Sequence, residues 1–195
     1  MAEDLTWATA LVQESLTVFR RSGETQGIGW ALNHLGHVAQ IQGEYERAIR
    51  LHEESLPLFR AIGLKNIGVA WVFQSLGETA LAQGDAALAT THLTEALELF
   101  KDMRDRAGMA WCLAGLAGAA ALGEEPERAA WLWGAAEALR DSIGARPAPA
   151  ARATRERLMA QARAQLGATA FEAAWAAGQA VSQERALAVA MHADQ

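Results

Sequence analysis

Residues 30–44 read WALNHLGHVAQIQGE, and residues 71–85 read WVFQSLGETALAQGD, the same pattern 41 positions later. A third version, WCLAGLAGAAALGEE, starts at Trp111. In each, Leu32, Leu35 and Ala39, then Phe73, Leu76 and Ala80, then Leu113, Leu116 and Ala120 recur at i, i+3 and i+7, one stripe of a helix. Gly36 and Gly77 interrupt these helices, where glycine costs roughly 1 kcal/mol relative to alanine. A small residue at that position, Ala117 in the third copy, lets a second helix approach closely.

The register extends outward in both directions. Glu14-Ser15-Leu16 returns as Glu54-Ser55-Leu56 and Glu95-Ala96-Leu97; Phe19 returns as Phe59 and Phe100, and Ala48 as Ala89 and Ala129. Every series steps by 39 to 41 residues, so the period is a property of the whole chain. A second stripe in each unit, Ala48, His52, Ser55, Leu56 and Phe59, then Ala89, Leu93, Ala96, Leu97 and Phe100, predicts a second helix. Between the two lie Gln42-Gly43-Glu44, Gln83-Gly84-Asp85 and Leu122-Gly123-Glu124, a glycine stop followed by an acidic start. Pro126 suits a first helical turn.

No segment alternates with a period of two. The spacing predicts helices over 4–21, 25–42, 45–62, 66–83, 86–103, 107–122, 126–143, 149–166, 170–178 and 183–192. The expected fold is all-α, a right-handed superhelical solenoid of antiparallel helix pairs with ~40-residue repeats. Residues 1–146 form an array of about three and a half pairs, and the stretch Gly144 to Pro149 breaks the pattern. Residues 147–195 form a C-terminal helical capping segment, with Thr169 and Glu172 as a capping box and Ser182 as an N-cap. The first helix matches the second helix of a unit, so its own partner is missing. Either the chain was cut from a longer protein, or a second copy covers that end.

The Leu-Gly pair, the alanine after it, the turn glycine and the following Ala48, Ala89 or Ala129 resemble tetratricopeptide repeats. The longer period resembles the variant in bacterial maltose-regulator-like transcription activators and related actinobacterial signalling ATPases. Ala129-Ala130-Trp131-Leu132-Trp133-Gly134-Ala135-Ala136-Glu137, Ile143-Gly144 and Phe171-Glu172-Ala173-Ala174-Trp175 are similar to the C-terminal stretch of those regulators. The resemblance implies a protein-interaction scaffold or regulatory module. It permits a sensor domain holding a small molecule or sugar in the groove as an alternative.

Composition narrows the partners. The formal charge of −6 lacks the basic face that a nucleic-acid duplex requires. Cys112 is the only cysteine, so no internal disulfide can form. The acidic start Met1-Ala2-Glu3-Asp4 lacks a signal-peptide layout, and no apolar run reaches the ~18 residues of a membrane span. These features lead to the expectation of a soluble, cytoplasmic protein.

Trp30, Trp71 and Trp111 head the candidate site residues. At 100° per residue, Trp30 points about 200° away from Leu32, off the main core stripe. Asn33 and His37 share its face, and Gln74 and Glu78 share the face of Trp71. First helices line the concave surface in arrays of the resembled kind, so these seven residues are the expected groove for a protein or peptide partner. Packing of the tryptophans between repeats is the competing reading. The resembled carboxylate-clamp repeats that hold chaperone tails use Lys, Arg and Asn here instead. His52-Glu53-Glu54 lacks the second histidine of a zinc-protease helix, Leu56 standing in its place. The histidines, His34, His37, His52, His92 and His192, read as surface or groove residues, with His37 and Glu78 a weak metal pair. Cys112 reads as a buried inert thiol. Gly27 and Gly29 form no complete phosphate fingerprint. Trp131, Trp133 and Trp175 are expected to anchor the cap, and Arg152, Arg155 and Arg163 to be solvated. No catalytic constellation, metal or cofactor is expected.

Overall fold

The computed structural model describes residues 2–62, 67–145 and 152–191, with the backbone alone for 2–5 and 152. Pro147, Pro149 and His192 lie outside the described residues. The described chain forms α1 (Ala2–Ser22), α2 (Thr25–Ile41), α3 (Tyr45–Ala61), α4 (Ile67–Gln83), α5 (Ala86–Asp102), α6 (Arg106–Leu122), α7 (Pro126–Asp141), α8 (Arg152–Leu166), α9 (Ala168–Gln179) and α10 (Gln183–Met191). There is no strand among the described residues. Successive helices from α1 to α7 pack on one another, and α2 on α4 and α4 on α6 also meet side by side. The chain is therefore an all-α solenoid of helix pairs. Its inner wall is α2, α4 and α6. Helix α8 packs on α6 and α7, and α9 on α7.

The turns show why the pairs reverse where they do. Gly43 (φ +78°) and Gly84 (φ +84°) take the left-handed backbone that ends α2 and α4. The third turn differs from expectation. Gly123 keeps a negative φ, and Glu124 holds φ +62° instead. The conserved quantity along the chain is thus the thirteenth position after each tryptophan, whatever residue stands there. Asp85 caps α5 by accepting from Leu88 N at 2.9 Å, and Asp105 caps α6 by accepting from Ala107 N and Gly108 N.

Glycine governs how closely the helices approach. A Cβ on Gly36 would collide with His52, and one on Gly77 with Leu93. Another series carries the same logic. Gly27, Gly68 and Gly108 each receive the ring of Phe19, Phe59 or Phe100 from the preceding helix, so no larger residue fits there. The core is built in pieces. Leu16, Ala31, Leu32 and Leu35 form a small cluster, Phe59, Val72 and Leu76 a second, and Ala70 joins the buried apolar residues from Ala80 to Ala190 in a large continuous one.

At the C-terminal end α7 and α9 touch through their backbones. Gly134 lies against the carbonyl of Trp175, and Gly178 against that of Trp131. Around this crossing Trp133, Phe171 and Trp175 cluster, with ring centroids 6.5 and 5.8 Å apart. The Thr169–Glu172 capping box does not form. Helix α9 starts at Ala168 after Gly167 (φ +83°), without a side-chain cap bond, and Glu172 pairs with Arg163 at 2.7 Å. Ser182 Oγ does accept from Arg185 N, at 3.3 Å.

Candidate binding groove

The inner helices present their tryptophans half-buried. Trp30 meets Phe59 edge-on at 5.0 Å, and Trp71 meets Phe100 edge-on at 5.4 Å. Equivalent positions one period apart have equivalent contacts: each ring is clamped on one side by the phenylalanine of its own pair. Trp111 has no such phenylalanine and lies 4.6 Å from Trp71 instead. The tryptophans therefore contribute to packing and still keep part of their surface open.

Their polar neighbours divide. Asn33 is 2% exposed, so it cannot face a ligand in the groove as expected. Its Oδ1 lies 2.8 Å from His52 Nδ1, and an amide oxygen only accepts, so His52 Nδ1 carries the proton. His52 is likewise fully buried, which corrects its reading as a surface residue. Its neighbour Gly36 leaves the space the imidazole fills. His37 is half-buried, 5.4 Å from the His52 ring. Ser75 Oγ gives its proton to the Trp71 carbonyl, so the 2.9 Å contact with His37 is a donation from His37 Nε2. Burial pulls the His37 pKa down to about 4 and that of His52 down to about 3.

Gln74, also buried, donates through Nε2 to Glu78 Oε1 at 2.6 Å. Burial pushes the Glu78 carboxyl up to about 7, and the Gln74 bond opposes that only in part. Cys112 is buried and free, its thiol raised well above its usual range by burial. Among the described residues no group of three or more His, Cys, Asp or Glu side chains could hold a metal ion.

Glu78 and Trp111 come together in a half-enclosed pocket that sequence reasoning missed. Its walls are Gln40 of α2, Leu81 of α4, Ala114, Gly115 and Gly118 of α6, and Trp133 and Arg140 of α7. Helix α8 closes it with Thr154, Arg155 and Leu158. Trp133 donates through Nε1 to the Ala114 carbonyl at 3.2 Å, fixing the aromatic wall. Arg155 thus departs from its expected solvated position, because α8 lies along the inner wall and turns that side chain inward. Arg163 differs: it is exposed, pairs with Glu172 and covers the Phe171 ring at 5.6 Å. Trp30, His37 and Asn33 lie outside this pocket, toward the N-terminal end of the groove. The one hint in the sequence was the small trio Ala114, Gly115 and Gly118 beside Trp111.

A solenoid of helix pairs with an aromatic, partly polar inner wall defines a repeat protein of the helical-hairpin class. The family model for the tetratricopeptide repeat matches residues 2–61 and 27–102, together just over half the chain. The chain belongs to the tetratricopeptide repeat family. Repeats of this family generally mediate protein–protein interaction. No curated protein matches the sequence.

Proposed function

We propose that this chain is a non-enzymatic interaction module that takes a protein or peptide partner on its inner wall. We place it in the regulatory, maltose-regulator-like part of a bacterial signalling or transcription regulator in the cytoplasm. The observation that carries the partner reading is the tryptophan series: Trp30 and Trp71 are held by phenylalanines, Trp111 by Trp71, and all three keep part of their surface exposed. Rigid aromatic surface with hydrogen-bonding neighbours is what peptide grooves offer, because it gains contact area at little entropic cost. His37, Trp71, Glu78 and Trp111 are the residues we assign to the contact. Gln74 supports Glu78 from beneath, and Asn33 supports α3 through His52. No described helix is long and apolar enough to cross a membrane.

We further assign residues 1–146 to the repeat array and 147–195 to a helical cap. The close seating of α9 on α7 supports that division. At the other end α1 exposes Trp7, Leu11 and Val18 on one face, at 68, 42 and 54% of their surface. We take that face as a contact with a second copy.

The test of the groove is a peptide-display selection on the immobilised chain, with the selected peptides then measured by calorimetry. Trp111→Ala and His37→Ala should each weaken them about tenfold or more while helical content is retained. A selection that returns no binder, or binders indifferent to both variants, defeats the reading. A sensor for a small molecule is the second reading, favoured by the half-enclosed pocket under α8.

A further inference from the structure

We propose that the pocket under α8 binds a small organic acid, its anionic group held by Arg140 and Arg155 and its apolar body against Trp111 and the Ala114–Gly118 floor. The inference rests on the small-molecule reading of this pocket, which shares Trp111 and Glu78 with the peptide contact, while His37 and Trp71 lie outside it.

The charge arrangement points to an anion. Arg140 is only 8% exposed, and its ion pair with Glu137 Oε1 spans 3.9 Å, beyond hydrogen-bond length. Glu137 is held elsewhere: its Oε2 accepts from Trp175 Nε1 and from Gln179 Nε2, both at 3.0 Å. Arg155 lines the same pocket, and its Nε is buried without a hydrogen-bond partner among the described residues. Gln40 also lines the pocket, and its buried Oε1 is an acceptor that an O–H or N–H of the ligand, not its anionic oxygens, would meet. Two guanidinium groups thus share one cavity, close enough that Arg155 adds to burial in lowering the Arg140 pKa. Arg140 has only the long contact with Glu137 and the nearby charge of Asp141, and Arg155 Nε is buried without an acceptor, so an anion accepting from both forks would use donors that the described residues leave unfilled. Glu78 is the acidic residue in the lining. Its raised pKa keeps it mostly protonated below neutrality, when it donates rather than repels.

The walls define the rest of the ligand. Trp111, Trp133, Leu81 and Leu158 are apolar, and Ala114, Gly115 and Gly118 leave a shallow floor beside them. The space is about 60 Å³, enough for roughly four to six waters at ~10–15 Å³ each. A compact acid with a planar body fits that room, and a peptide chain does not.

The test uses the whole chain at pH 6, with calorimetry and tryptophan fluorescence as readouts. The probes are benzoate, indole-3-acetate, phenyl phosphate, inorganic phosphate and the neutral benzamide. At least one aromatic acid should bind with a sub-millimolar Kd and change the fluorescence, with benzamide about tenfold weaker or worse. The carboxylates against phenyl phosphate decide which anionic group the forks prefer. Arg155→Gln should reduce the affinity about tenfold, and so should Arg140→Gln if circular dichroism shows it folded. Arg155 lies at the pocket edge on α8, so its variant carries the test even if Arg140→Gln unfolds. Equal binding of benzamide and benzoate would leave a small-molecule pocket but overturn the anion assignment. Inorganic phosphate matching phenyl phosphate would overturn the organic part, and unchanged affinity in folded Arg155→Gln would overturn the role of the arginines. Binding by none of the probes would remove both this inference and the sensor reading, leaving the peptide groove untouched.

Discussion

Glu124 holds a backbone angle of φ +62°, where an L side chain crowds the neighbouring carbonyl. Glycine relieves that crowding, so Glu124→Gly should stabilise the fold by up to about 1 kcal/mol, read as a higher urea midpoint with unchanged slope. Two titrations act in opposite senses. His37 and His52 have folded pKa values near 4 and 3, below the unfolded 6.5. As pH falls from 6.5 toward 4, the unfolded chain gains protons that the folded chain refuses, and stability is lost. Glu78 has its folded value raised to about 7 from 4.5, so its contribution declines as pH rises through that window. Two histidines outweigh one glutamate between 4.5 and 6.5. Urea midpoints should therefore rise from pH 4.5 to 6.5, and Glu78→Gln should steepen that rise while stabilising the protein at pH 8. A flat profile would show that neither histidine is desolvated as described. At this scale the sequence was only partly legible. Helical spacing put Asn33 beside Trp30, but its burial depends on His52, nineteen residues along on another helix.

Helices were the most legible level, because their stripes, turn glycines and caps are local signals. All ten predicted helices occur, and the expected ends that fall on described residues lie within two residues of the observed ones. Close approaches between helices were half legible. Gly36 and Gly77 stood out by breaking a stripe, whereas Gly27, Gly68 and Gly108 needed their partners Phe19, Phe59 and Phe100 to acquire meaning. Gly134 and Gly178 were illegible, since what they meet is backbone from a distant segment. That difference predicts unequal costs. Gly77→Ala presses on the Cγ of the buried Leu93, but a side chain can shift where backbone cannot and roughly 1 kcal/mol of helix propensity is recovered, so its net cost should be the smaller one, about 1 kcal/mol. Gly178→Ala presses on a carbonyl that cannot turn aside, and should destabilise by about 3 kcal/mol, the upper end for overpacking. Denaturant midpoints of the two variants, compared directly, check this. Comparable losses would mean that α7 and α9 can slide apart freely.

Across the whole molecule, the period of the sequence specified the solenoid, because every unit buries its face only against the next. The pocket under α8 was hidden for the complementary reason: α8 belongs to no repeat, and nothing periodic says where it lies. The exposed Trp7, Leu11 and Val18 give a further expectation. Sedimentation of the 195-residue chain should show concentration-dependent association that Leu11→Glu abolishes without loss of helix. A single monomeric species at high concentration would dismiss it. The opposite end of the stack, where α9 seats against α7 through Gly134 and Gly178, has already used the surface on which another unit would sit. A patch that meets its own image across a two-fold axis closes on itself. If α1 pairs in that way, growth through it stops at two copies, and this association builds no fibre of indefinite length.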